Sequence, residues 1–190
     1  GQVPLTRTNR QEHSEFGIRG HQDWMTESIS WQTVEDRRAF LRRNFAPERS
    51  KENEWLLDLN NDGSHDWKDL TVEKEEVWRL EDTDSDGFAD ISMRVLNDFC
   101  DEVTDVMGGI LVRAKDAFLA IAPDMWRMED TNSDGIWDKK TSISTGYQVH
   151  IGFGGHNMSG PVEGPDGRIY WNMGDVGATV TSVDGKKFEN

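Results

Sequence analysis

Three stretches of this chain place oxygen-bearing side chains and a glycine at the alternating spacing that wraps a cation. In the first, Asp58, Asn60, Asp62, Gly63, Ser64, Asp66 and Asp69 stand at positions 1, 3, 5, 6, 7, 9 and 12 of a loop. In the second, Asp82, Asp84, Asp86, Gly87, Phe88 and Asp90 fill positions 1, 3, 5, 6, 7 and 9, and in the third Asp130, Asn132, Asp134, Gly135, Ile136 and Asp138 do the same. Oxygens at alternate positions can converge on one centre, and the glycine allows the sharp turn that this needs. Position 7 contributes its backbone carbonyl whatever its side chain. An all-oxygen ligand set selects Ca2+ over zinc or copper. Position 12 is Asp69 in the first loop but Met93 and Thr141 in the others, so those two take a last ligand from elsewhere or from water.

The second and third loops belong to a longer repeat. "WRLEDTDSDGFAD" (78–90) returns as "WRMEDTNSDGIWD" (126–138) at an offset of 48. Around the copies lie short runs of strand length, "GILVRA", "AFLAIA", "MWRME" and "KTSIS", each broken by Gly, Asp, Asn or Pro. A period of 40–50 residues with about four strands per period is the mark of a propeller blade. The expected fold is therefore mainly β: a partial β-propeller with parts of about three blades and a short helical N-terminal segment. A cation site copied once per blade reads as a staple for the turn rather than a catalytic centre. Trp78, Trp126 and Trp171 sit in strand positions and are expected to pack between blades, with sugar stacking as the rival reading.

The N-terminal part differs in texture. Residues 1–30 read as an extended or loosely packed arm. Val34, Phe40, Leu41 and Phe45 share a helical face, Thr33 can cap its start, and Pro47 stops it, which predicts a helix over about 34–45. Its four arginines read as a solvated face. The expected organisation is 1–50 as arm and helix, 51–72 as a linker carrying the first loop, and 73–190 as the incomplete propeller.

Composition narrows the partners. The chain of 190 residues has 36 acidic and 21 basic residues, a formal charge of −15. That disfavours nucleic acid and anionic membrane, favours cations, and leaves the eight Trp and eight Phe to build a core. No apolar run approaches membrane-spanning length, so no membrane insertion is expected. The single Cys100 excludes an intrachain disulfide framework and a CxxCH haem attachment within this stretch, and reads as a small buried thiol. Open strand edges invite pairing, so a homo-oligomer is expected of such an incomplete sheet protein.

Two histidines, His150 and His156, fall in the Gly-rich segment "TGYQVHIGFGGHNMSGPVEGPDGRIYWNMGD". From His156 onward this segment resembles that of soluble quinoprotein glucose and sorbosone dehydrogenases, where a catalytic histidine precedes a Gly-Pro-Asp turn and a Tyr-containing strand ending in Gly-Asp. Here these are Gly164-Pro165-Asp166, Tyr170 and Gly174-Asp175. The stretch from about 73 to 185 is also similar to the propeller domain of large secreted membrane-bound dehydrogenases of Planctomycetes, Verrucomicrobia and Bacteroidetes, which often carry a C-terminal haem-binding domain. Their "LEDTDGDG-x-AD" and "GFG-x-H" patterns match Leu80–Asp90, Met128–Asp138 and Gly152–His156.

The resemblance implies a periplasmic or extracellular sugar or alcohol dehydrogenase. His156 would be its general base, and pyrroloquinoline quinone (PQQ) would be bound in the full-length parent. The family's quinone-contacting arginines and lysines lie on later blades, so this chain is expected to need the remainder of a larger parent for activity. Asp175 is expected to act as a strand-end hydrogen-bond acceptor, and His150 is the weaker candidate base. The alternative is a non-enzymatic, calcium-stapled propeller that binds a glycan or a protein partner.

Overall fold

In the computed structural model, the chain is described over residues 22–151, 156–182 and 184–189. Residues 1–21 of the arm expected over 1–30, and Gly152–Gly155 of the "GFG-x-H" segment, lie outside them. Helix α2 (Val34–Asn44) forms where its pattern places it. Thr33 Oγ1 accepts from the Asp36 N–H while Asp36 Oδ2 accepts from the Thr33 N–H, a reciprocal cap. Phe40, Leu41 and Phe45 on one face are 0–1 % exposed. Before α2 runs α1 (Gln22–Ile29), where the sequence reading had only an arm. It is eight residues long and buries only Trp24 and Ser28 deeply among its described side chains, too few for a periodic signal.

The arginines of α2 form a solvated face only in part: Arg42 and Arg43 are 51 % and 59 % exposed, whereas Arg37 and Arg38 turn inward. Arg37 is buried and donates to the Gln148 carbonyl at 2.9 Å. Arg38 meets Asp101 at 2.7 Å and Glu102 at 2.9 Å, Arg42 meets Glu102 at 2.6 Å, and Arg43 pairs with Glu27. Their acids lie far along the chain, apart from Glu27, so no local pattern announces them. Burial pulls the Arg38 pKa down, but its hydrogen bonds to Asp101 and Glu102 outweigh this and hold it above the usual guanidinium value.

Residues 51–72 are packed rather than a free linker. Leu56 and Leu70 join Trp24, Trp31, Phe40 and Phe45 in one cluster, which Val103, Val149 and Ile151 of the β part complete. Two short 3-10 turns, Pro47–Asn53 and Trp67–Thr71, flank the first acidic loop.

The rest is small antiparallel sheets, so the chain is mainly β. β1 (Glu75–Glu81) pairs with β2 (Ile91–Asp98). β3 (Gly109–Arg113), β4 (Asp116–Ile121), β5 (Asp124–Glu129) and β6 (Lys139–Thr145) form a four-stranded meander in that order. These are the four runs that the repeat marks out. β7 (Ser159–Glu163) pairs with β8 (Ile169–Asn172), and β9 (Thr179–Thr181) with β10 (Lys187–Glu189).

β4 is buried on both faces. Ala117, Leu119 and Ile121 face β1–β2 with Leu96, Phe99 and Met128, while Phe118 and Ala120 face the β7–β8 side with Met125 and Met158. Trp126 packs in the first cluster, 5.2 Å from Phe99, and Trp171 beside the second, 6.3 Å from Tyr147. Trp78 is 47 % exposed. Cys100 is half-buried. Among the described residues no helix is long and apolar enough to cross a membrane.

The repeat makes a direct comparison available. Met128 is 2 % exposed and its counterpart Leu80 is 62 % exposed. Met128→Ala is expected to cost about 2–5 kcal/mol, whereas Leu80→Ala should stay within about 0.5 kcal/mol. Urea denaturation of the two variants measures the difference.

Candidate metal loops and the His156–Asp175 pair

The three acidic loops share one backbone. Position 4 has positive φ in each, at Asn61 (58°), Ser85 (66°) and Ser133 (64°). So does position 6, at Gly63 (83°), Gly87 (93°) and Gly135 (88°). Side chains with a Cβ rarely adopt that conformation, which is why position 6 is glycine each time.

Hydrogen bonds repeat as well. The position-1 carboxylate reaches forward and accepts the glycine N–H at 2.9 Å from Asp58, Asp82 and Asp130 alike. The position-3 oxygen accepts the position-5 N–H, at 2.8 Å for Asn60, 3.2 Å for Asp84 and 2.9 Å for Asn132. The position-5 carboxylate accepts the N–H of Ser64, Phe88 or Ile136 at 2.8–2.9 Å. Each loop thus draws oxygens of positions 1, 3 and 5 inward. Carboxylate oxygens of Asp82, Asp84 and Asp86 lie within 4.8 Å of one another.

The loops differ in how they close. In the second, Asp90 Oδ2 accepts both the N–H and the hydroxyl of Thr83, at 2.7 and 2.6 Å. In the third, Asp138 holds Thr131 in the same way, at 3.0 and 2.8 Å. In the first, Asp69 at position 12 takes this role, accepting from the N–H groups of Leu59, Asn60 and Asp66 at 2.9–3.2 Å. The closing carboxylate has moved from position 12 to position 9 between loop types, which answers the missing acid at Met93 and Thr141. The paired threonines were visible in the repeat, but their role shows only in the folded loop.

The first loop is also the most enclosed. Asp66 is 0 % exposed; its Oδ1 caps the turn that follows, and its Oδ2 has no hydrogen bond. The Lys68 ammonium stands 3.5 Å from that oxygen. Ser64 Oγ is likewise buried without a partner.

The histidines part company. His150 Nδ1 lies 2.6 Å from the Ser28 carbonyl, and its backbone N–H donates to Val176. Its ring fills the space over Gly177, where a Cβ would come within 2.2 Å of it. His150 is therefore a fastener between α1 and the C-terminal loops. His156 is half-exposed, and its Nδ1 lies 2.8 Å from Asp175 Oδ1. The Gly164-Pro165-Asp166 turn closes through the Gly164 N–H to Arg168 carbonyl bond at 2.8 Å, and Asp166 accepts from the Tyr170 hydroxyl at 2.9 Å.

The chain is mainly β, with two of its three acidic loops at hairpin tips and, among the described residues, one histidine–carboxylate pair between Gly-rich segments. Residues 47–190 match the family described as a domain of unknown function (DUF7133), and the chain belongs to that family. No curated protein and no solved structure matches the chain.

Hydrogen bonding sets the acid limit of the loops. The Gly87 N–H, ahead of other backbone donors, lowers the Asp82 pKa. The Thr83 hydroxyl and N–H lower that of Asp90, and the Thr131 N–H and hydroxyl lower that of Asp138. A carboxyl depressed in the fold contributes stability that is full above its unfolded value, near 3.9, and lost as pH falls through its folded value. The Ser85, Gly87, Thr83 and Thr131 amides, bound to these three carboxylates, are therefore expected to keep their exchange protection at about pH 4 and to lose it only on further acidification. Hydrogen exchange followed by NMR measures this. Loss of protection already at about pH 5 would contradict the assigned bonds.

Proposed function

We propose that this chain is a calcium-stapled portion of a β-propeller, in a periplasmic or extracellular quinoprotein-like dehydrogenase of sugars or alcohols. The observation that carries the calcium reading is the loop geometry, repeated three times, together with the buried Asp66 Oδ2, which has no hydrogen bond and the Lys68 ammonium 3.5 Å away. Loop one would hold Ca2+ with Asp58, Asn60, Asp62, Ser64, Asp66 and Asp69. Loop two would use Asp82, Asp84, Asp86, Phe88 and Asp90, and loop three Asp130, Asn132, Asp134, Ile136 and Asp138. The cation neutralises carboxylates that otherwise repel across a few ångströms, and so fixes each turn. Loops of this kind fit the millimolar calcium outside the cytoplasm.

The propeller reading is supported by the 48-residue repeat and by the succession of a two-stranded, a four-stranded and a two-stranded sheet. The catalytic reading rests on His156. With the Nδ1 proton donated to Asp175, Nε2 is the ring nitrogen that would accept the proton of a substrate hydroxyl. A bound quinone supplies the acceptor for the hydride. The side chain beside His156 is itself an anion, which suits a polycarboxylate quinone poorly. The described residues therefore do not hold that cofactor alone, and its anchor belongs to other parts of the parent.

A second reading, a binding module for a glycan or protein, is favoured by the half-exposed Trp78, whose ring Arg94 approaches at 5.9 Å.

Calcium at about a hundred times its dissociation constant adds roughly 2.7 kcal/mol per site. The melting temperature after chelation is therefore expected to rise by on the order of 5–10 °C when calcium is restored. An unchanged melt would remove calcium from the proposal. For the chemistry, quinone-dependent dye reduction by the parent protein with sugars should fall about 10²–10⁴-fold in His156→Ala, and less in Asp175→Asn. Full activity in His156→Ala would leave the binding reading in its place.

A further inference from the structure

The face of the four-stranded sheet that looks toward β1–β2 is covered on one side only. Cross-strand pairing sets Ile110 opposite Leu119 and Val112 opposite Ala117, so all four share that face. Ala117 and Leu119 on β4 are 0 % exposed, packed with Val77 of β1 and Leu96 of β2. On β3 the cover stops, and Ile110 is 42 % and Val112 62 % exposed. β1 pairs with β2 alone among the described strands. A groove of about 730 Å³ lies there, lined by Val77, Arg79, Ile110 and Val112.

The repeat shows what width belongs in that place. β1–β2 and β5–β6 are copies 48 residues apart, and β5 carries β4 and then β3 on the edge that β1 leaves open. β1–β2 is therefore a sheet two strands too narrow. β7–β8 has the opposite shape. It is a hairpin packed against β3 and β4, and β8 has no further strand among those described. Ile169 and Trp171 turn into the molecule's own core, while the cross-strand pair Val162 and Tyr170 is 56 % and 50 % exposed on the other face.

We infer that this groove is an interface between copies of the chain, filled by the β7–β8 hairpin of a second molecule. The β8 edge of one copy pairs antiparallel with the β1 edge of the next and gives a four-stranded sheet in the order β7-β8-β1-β2, the order of β3-β4-β5-β6. The exposed Val162 and Tyr170 of one copy then cover the exposed Ile110 and Val112 of the other. The backbone N–H and C=O groups of the two edges, which belong to no other described sheet, supply the ladder. The contact uses different surfaces on its two sides, so copies join head to tail. It needs neither calcium chemistry nor His156, and an unchanged melt with calcium leaves it standing.

Sedimentation in calcium-containing buffer tests it. The wild-type chain should associate at about 10–100 µM. Val112→Asp spoils the groove and Val162→Asp spoils the hairpin. Each should be monomeric with an unchanged circular-dichroism spectrum, since both side chains are half-exposed or more. Mixed together, the two variants should form a 1:1 heterodimer and nothing larger, because one intact groove and one intact hairpin remain. A monomeric wild type, or variants that still associate, would overturn the inference. Association lost in Val112→Asp but kept in Val162→Asp would give the groove another occupant, and overturns it equally.

Discussion

An aspartate that reaches forward to bind the N–H groups of its own loop sets the geometry on which this chain depends. Asp58, Asp82 and Asp130 each do so, and each holds its loop in a conformation with positive φ at two places. Two of these loops are the hairpin tips of β1–β2 and β5–β6. Their closure carries directly into the ladders, since the Asp90 and Asp138 N–H groups donate to Glu81 and Glu129, the last residues of the preceding strands. The tip therefore fixes the register of the strands below it, and a slip by one residue would turn the core face outward. Trp126 and Met128 face the core because the loop above them holds β5 and β6 in step.

A second set of carboxylates joins the helical layer to the sheets. Glu102 is 3 % exposed and accepts from both Arg38 and Arg42, and Asp101 beside it also binds Arg38. Buried acids of this kind are costly unless they are paired and hydrogen-bonded, and here they are. Removing Glu102 alone would take this partner from both Arg38 and Arg42 and leave Arg38 to Asp101 and Glu35. The Ser28 carbonyl at His150 Nδ1 and the Ser28 hydroxyl at the Ile151 N–H fasten α1 to the same side. The seam is polar in its contacts and apolar in its filling, where Val103, Val149 and Ile151 enter the helical cluster.

What the sequence discloses follows from the range of each interaction. β3–β6 and α2 are legible because alternation, caps and turn residues act within a few positions. The loop backbones are legible for the same reason. α1 is not, because its burial is owed to Trp24 and Ser28 meeting partners far along the chain. The inward turn of Arg37 and Arg38 is hidden because Gln148 and Asp101 lie 111 and 63 residues away. The closing role of Asp90 and Asp138 at position 9 is hidden by the analogy to a twelve-residue loop, which directs attention to Met93 and Thr141. His156 and Asp175 are both conspicuous, yet only the fold makes them a pair.

The strand registers separate the acidic loops from the histidine. Gly109 pairs with Ala120 and Arg113 with Asp116, so the start of β3 lies at the end of the sheet away from the third loop. A Cβ on Gly109 would meet Gly160 and Pro161, which puts the start of β7, and the segment that leads from His156 into it, at that same far end. β5 spans six residues between the two ends, a separation of about 15–20 Å. A cation in the third loop could polarise nothing held by His156 across that distance. The two proposed roles thus fall to different ends of one sheet: cations that fix the hairpin tips at one, and proton transfer at the other. Changes in the loops should reach the histidine only through the register of the strands between them.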